Sequence, residues 1–336
     1  MRFLAALLLS FVLGACASGS GGLQHPRVSP DSGEASEDAP PPPPEEGSDF
    51  AVFRGDGTPA AFQDIIAEAR ESEVVLFGEE HDDLMTHRLQ AEVLRRLFVD
   101  YNRPSASGRP SPHPGRTGVA TPQTGGDRTV VLSLEMFERD VQYVLDEYLA
   151  DLISEDHFTA SARAWDRYDT DYRAAVEFAK AHGMPVVAAN APRRYVNRAS
   201  RLGSASLSEL PASARAYLPP LPHPTPSAAY EEEWLEIMGE GAEYMSGSPI
   251  DGQALWDATM AHSIQEALER EENPLVLHLA GSFHVANFTG IPEVLEAYRP
   301  GTRQLVLVAR PVESLDGLPE EYHGEGDFVI VTRGEG

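Results

Sequence analysis

Two histidines stand three residues after a glycine, each at the end of an apolar run: "LFGEEH" sets His81 after Gly78, and "LAGSFH" sets His284 after Gly281. A glycine at a strand end lets the backbone turn sharply or approach another group closely. An imidazole placed there can bind a metal, donate to an oxyanion or shuttle a proton. Other apolar runs also end on polar groups: 130–134 leads into Glu135 and Glu138, and 185–189 into Asn190. His81 and His284, with Glu135 ending a third run, are therefore a candidate joint site. A single GxxH arises often by chance, so the weight lies in its repetition at two strand ends. His87, on the apolar face of the next helix, reads as a core histidine or as one that orients Glu79 or His81 from behind. Glu80, Asp82 and Asp83 are expected to favour that helix's N-terminus, with Asp82 or Asp83 as N-cap.

The elements that must position these groups follow from the pattern of apolar residues. Runs at 74–77, 130–134, 185–189, 275–279, 305–309 and 328–331 are nearly continuous in apolar, β-branched residues, which predicts strands covered on both faces. After His81, Leu84, His87, Ala91, Leu94 and Phe98 recur at spacings of three and four, and "YRAAVEFAKAHG" ends on Gly183 with Pro185 beyond, a helix stop. Strands alternating with helices predict an α/β fold with a mostly parallel sheet and helices on both faces. Ligands of such sheets bind outside the carboxyl ends of the strands, where all the candidates converge. Residues 193–263 break the alternation and read as a small all-helical lid insertion. Its Tyr195, Tyr217, His223, Tyr230, Trp234, Met238, Tyr244 and Met245 are types that sandwich a flat apolar ligand and include axial ligands of haem iron. Core packing is the plain alternative for each.

The rest of the chain bounds the setting. Residues 1–16 hold Arg2, an apolar run over 3–13 and "LGAC", a secretory signal too short to span a bilayer comfortably. Small residues before Cys16 resemble the lipobox of bacterial lipoproteins, so Cys16 is expected to be lipidated and the protein membrane-anchored in the cell envelope. With one cysteine, no intramolecular disulfide forms. Residues 17–48, with prolines at 40–44, read as a disordered tether, and 102–128, which contains His113 as a bystander, as a disordered loop within the 49–336 domain. Of 336 residues, 53 are acidic and 26 basic, giving a formal charge of −27 that repels phosphate backbones and argues against nucleic acid. No serine elbow, phosphate loop or dinucleotide fingerprint is present in the sequence.

Five segments carry a resemblance: "VVLFGEEHDDLMTH", "LSLEMFERDVQYVLDEYL", "YRAAVEFAKAHGMPVVAANAPRRYV", "ALWDATMAHSI" and "LHLAGSFHV". In this order they resemble the successive blocks of the ChaN-type haem-binding uptake lipoproteins, which share a superfamily with the Tiki proteases, TraB proteins and erythromycin esterases. The resemblance spans roughly 74–308. It implies a parallel α/β domain with a small helical domain, haem held between the two, and a homodimer compatible with cofacial haems. The expected haem contacts are His81, His284, Asn190, Tyr195 and Tyr244. The wider superfamily implies the alternative, a metal or acid–base hydrolytic centre at Glu79, His81, Glu135 and His284; in the esterase branch a histidine is the base and a glutamate orients it. The lipobox fits the family. The expectation is a lipid-anchored protein, at an outer membrane and facing the periplasm, that holds haem or an iron compound for uptake.

Overall fold

All six apolar runs become strands of one sheet, and two short strands precede them. The computed structural model describes residues 43–101, 128–239 and 247–334. Among these the strands are β1 (Phe50–Arg54), β2 (Pro59–Ala60), β3 (Val74–Glu79), β4 (Thr129–Glu138), β5 (Val186–Asn190), β6 (Pro274–Gly281), β7 (Gln304–Val312) and β8 (Phe328–Arg333). Their order is β2-β1-β8-β7-β3-β6-β4-β5. Strands β3 to β8 pair in parallel, and β1 runs antiparallel to β8 and β2.

The helices are α1 (Phe62–Ala69), α2 (Leu84–Tyr101), α3 (Gln142–Leu149), α4 (Glu155–Ser161), α5 (Tyr168–Asp171), α6 (Arg173–Ala181), α7 (Arg193–Leu202), α8 (Ala212–Arg215), α9 (Ala228–Met238), α10 (Pro249–Arg270) and α11 (Ile291–Tyr298). Because side chains alternate along a strand, each strand feeds two cores. Val75, Phe77, Leu132, Leu134 and Leu277 pack under α1 to α6, while Val74, Leu76, Val131, Val276 and Val306 pack under α10 and α11. This double burial is what made the strands read as unbroken apolar runs.

Local signals act as their chemistry dictates. Asp83 precedes α2 and its Oδ1 accepts from Met85 N at 3.0 Å, the N-cap expected at 82 or 83. At the end of α6, Gly183 takes φ +62°, with Gly183 N bonded to Lys180 O and Met184 N to Ala179 O, a Schellman stop.

The described part of 193–263 holds α7, α8, α9 and most of α10, joined by turns and an irregular stretch over 216–227, and contains no strand. However, α10 packs directly on β4, β5 and β6 and is a sheet-covering helix rather than part of a lid; α7 packs on α10 in turn. At the edge, β5 meets a side chain instead of a strand: Gln142 donates Nε2–H to Val186 O at 2.9 Å and accepts from Ala188 N at 2.7 Å. Cys16, its signal, most of the tether and 102–127 lie outside the described residues. Among the described residues no helix is long and apolar enough to cross a membrane.

Candidate functional site

The two GxxH segments end adjacent parallel strands, β3 and β6, with Glu79 paired in register to Gly281. Each glycine makes room for the other segment. A Cβ on Gly78 would sit 2.6 Å from Val285 Cγ2 and 2.9 Å from Ser282 Cα. A Cβ on Gly281 would sit 3.0 Å from His81 Nε2 and 3.7 Å from His284 Cδ2. The glycine of the second segment is thus the gap across which the two imidazoles approach, and this close approach is the physical reason for the repeated motif.

Glu79 faces the α2 side and is buried. Its Oε1 accepts from His81 Nδ1 at 2.8 Å and from the Tyr172 hydroxyl at 2.6 Å, and its Oε2 accepts from Gln90 Nε2 at 2.6 Å and lies 3.3 Å from His87 Nδ1. Burial opposes a charge here, but hydrogen bonds from His81 and His87 and their charges outweigh it and hold Glu79 below its ordinary pKa. Burial would likewise lower His81, yet the Glu79 hydrogen bond and the Glu135 and Glu79 charges raise it. A carboxylate only accepts, so Nδ1 of His81 carries a proton; when the ring is neutral, Nε2 keeps its lone pair. The His81 side chain is 39% exposed, whereas those of Glu79 and His87 are essentially closed off. Its ring meets the Trp165 ring edge-on at 5.0 Å.

His87 both fills the core and orients Glu79 from behind. Its Nε2 lies 3.3 Å from His81 O and 3.6 Å from Asp171 Oδ2, which in turn accepts from Arg167 Nε at 2.8 Å. The glutamate, the two histidines and this aspartate form one continuous polar line under α2 and α5.

The second histidine lies in the opposite core. His284 Nδ1 is 2.5 Å from Asp257 Oδ1, and Nε2 is 3.5 Å from Glu135 Oε1. Asp257 also accepts from the Tyr230 hydroxyl, and Glu135 Oε2 accepts from Gly281 N at 2.7 Å. Burial would discharge the imidazole, but Asp257 and Glu135 raise it well above its ordinary pKa. Glu135 is held down to about 2, with the His284 charge overcoming burial. Beneath them His278, buried with Nδ1 2.9 Å from Ser133 Oγ, is pushed down to about 3 by burial and stays neutral.

Glu80 departs from its expected role at the helix start. It accepts from Ser282 Oγ at 2.8 Å and pairs with Arg310, whose Nε and Nη2 reach Glu325 at 2.7 and 3.1 Å. Arg310 Nη1 also donates to Ser282 Oγ at 2.9 Å. One guanidinium from β7 therefore clips both GxxH segments together.

The predicted set of Glu79, His81, Glu135 and His284 is thus brought to one edge, and Asp257, Tyr172, Gln90, Tyr230 and Arg310 join it. Asp257 had a signal: it is a lone acid among Ala254, Leu255, Ala258, Met260 and Ala261 on a buried helix face. Asn190 ends β5 but folds back, its Oδ1 accepting from Ala191 N at 2.8 Å. Tyr195 packs against the small apolar cluster of Ala191, Val196 and Leu255, with the Arg194 guanidinium 4.5 Å from its ring centroid. His223 is tied to Pro224 O and Ser204 Oγ in a turn. Tyr244 and Met245 lie outside the described residues.

The donor set does not fit a metal. Both Glu79 oxygens hold donors, and both His284 nitrogens face carboxylates as N–H groups. Among the described residues no group of three or more His, Cys, Asp or Glu side chains is arranged to hold an ion. Glu79, His81, Glu135 and His284 are thus engaged with protein partners, and His284 lies between Asp257 and Glu135. His81 Nε2 is different: a histidine whose other nitrogen donates to a carboxylate is oriented and made more basic toward iron.

The family described as "Haem-binding uptake, Tiki superfamily, ChaN" matches residues 65–295. Among solved structures, "Cofacial heme binding to ChaN of Campylobacter jejuni" aligns with a TM-score of 0.59 at 18% identity, covering 86% of this chain and 99% of that one. The type III effector HopBA1 aligns at 0.41 and 13% identity over 81% and 92% of the two chains. A Bacillus cereus protein aligns at 0.40 and 11% over 78% and 72%. At 18% identity the first likeness shows the fold. No curated protein matches the chain.

Proposed function

The chain belongs to the ChaN-type haem-binding uptake family of the Tiki superfamily, and on that premise we propose that it binds haem at the His81 edge of the sheet and serves in haem or iron uptake. The observation that carries the reading is the family match over 65–295, which takes in β3 to β6 and both GxxH segments. The site supports it with one accessible imidazole, His81, fixed by Glu79 and flanked by the Trp165 ring. His81 would hold the iron through Nε2; bound haem supplies iron coordination and a broad apolar surface. Haemin titrated into the purified protein should give a shifted Soret band with a defined stoichiometry, and His81→Ala should alter that band. A spectrum identical to free haemin in the wild type sinks the reading. The Leu13-Gly14-Ala15-Cys16 segment supports a lipid anchor at Cys16 in the cell envelope, with the domain facing the periplasm.

A second reading is favoured by the Glu79–His81 pair itself: a metal-free hydrolase in which His81 is the general base and Glu79 its orienter. Turnover of an ester library that survives chelation and is lost in His81→Ala would favour this reading. Absence of turnover across the library removes it.

A further inference from the structure

Away from the histidine cluster, a groove of about 350 Å³ opens between the 215–221 segment and α10. Volumes of this size suit small organic ligands. One wall is apolar, with Leu218 and Leu221, and Arg215 stands exposed at its lip. The other wall carries Arg139, His262 and Glu266. Arg139 donates Nη1–H to His262 Nδ1 at 2.9 Å and Nη2–H to Glu266 at 2.5 Å. That leaves three of its five N–H donors without a partner among the described residues. As an acceptor from a guanidinium, His262 is neutral, and burial lowers its pKa. Two guanidinium groups therefore face one carboxylate, so the groove is locally cationic in a chain whose formal charge is −27. Arginine forks match carboxylates in a planar, two-bonded geometry that a bare ammonium does not.

We propose that this groove binds an amphipathic carboxylate, its apolar body along Leu218 and Leu221 and its carboxylate on Arg139 and Arg215. The same chemistry is offered by a fatty acid and by the propionate edge of a tetrapyrrole. The groove's charge and shape, not the reading of the His81 site, carry the proposal.

The test uses the full chain in calorimetric titrations with laurate, with uncharged dodecanol and with haemin. Laurate should bind saturably at one site, and dodecanol at least about tenfold more weakly. Arg215→Glu, an exposed change checked for folding by circular dichroism, should weaken laurate by about tenfold or more, while Arg215→Lys stays closer to wild type. If haemin displaces laurate and loses affinity equally in Arg215→Glu, the propionate is the occupant; if the two bind independently, a fatty carboxylate is. The proposal is overturned if Arg215→Glu weakens neither laurate nor haemin, or if dodecanol binds as well as laurate. Loss of the haemin Soret shift alone, with laurate still bound, refutes the haem reading and leaves the groove standing.

Discussion

Replacing Glu79 by glutamine removes one buried charge and little volume, and so measures what that charge does. The carboxylate holds His81, His87, Tyr172 and Gln90 at 2.6 to 3.3 Å. A glutamine keeps one acceptor oxygen but turns an NH₂ toward groups that already donate. Breaking a buried ion pair by removing one member costs about 3–5 kcal/mol; with one acceptor kept, about 3 kcal/mol is expected. For a domain of this size that is a fall in Tm of roughly 5 °C, within what a typical stability tolerates. The pH dependence is the sharper readout. Glu79 has a folded pKa below 4.5, so its contribution is present above that value and is lost as pH falls through the folded pKa. His81 and His87 have folded pKa values above 6.5, so theirs is full below 6.5 and is lost as pH rises through the folded values. The gap between wild type and Glu79→Gln should therefore be widest near pH 6 and narrower at pH 9, as read by urea denaturation across that range. NMR titration should show the His81 pKa falling in the variant. A constant gap, or an unmoved His81 titration, would refute the view that Glu79 holds these imidazoles charged.

Other expected outcomes follow from the same geometry. Gly78→Ala drives a Cβ into Val285 and the Ser282 backbone and should cost about 2–3 kcal/mol in chemical denaturation, whereas Gly281→Ala meets the edge of the half-exposed His81 ring, Nε2 at 3.0 Å and Cε1 at 3.1 Å, and should disturb ligand spectra more than stability. Haemin affinity, if His81 is the ligand, should rise as pH climbs through the raised His81 pKa and drop toward pH 5; a flat Soret titration between pH 5 and 9 argues against ligation there. Arg310→Ala frees Glu80 and Ser282 and leaves Glu325 buried without its partner, which should cost about 3 kcal/mol by thermal melt. Palmitate labelling of the full-length chain should vanish in Cys16→Ser.

The sheet was readable because its parallel strands are buried on both faces, leaving apolar runs such as "VVLF" and "LVLHLAG" with little polar interruption. β1 was missed for the opposite reason: "FAVFR" is short, ends in the turn "GDGT", and gains its place only by antiparallel pairing with β8, far along the chain. The site was readable where chemistry sits at strand ends, as with Glu79, His81, Glu135 and His284. It was not readable where a helix interior supplies the partner. Asp257, Tyr172 and Gln90 touch the cluster through tertiary packing, which leaves no fixed spacing in sequence. Glu80 was misassigned because a dipole argument is local, while Arg310 reaches it from β7, 230 residues away.

The amide of Gln142 imitates a neighbouring strand so closely that it fills both the donor and the acceptor that β5 would offer to another chain at 186–188. Sheets with bare borders recruit foreign strands and seed fibres. Here a single side chain occupies the first half of that border. Gln142→Ala would open it, exposing a template for intermolecular pairing without touching the histidines on the neighbouring edge. A residue with no part in the histidine cluster thus guards part of the outer border of β5.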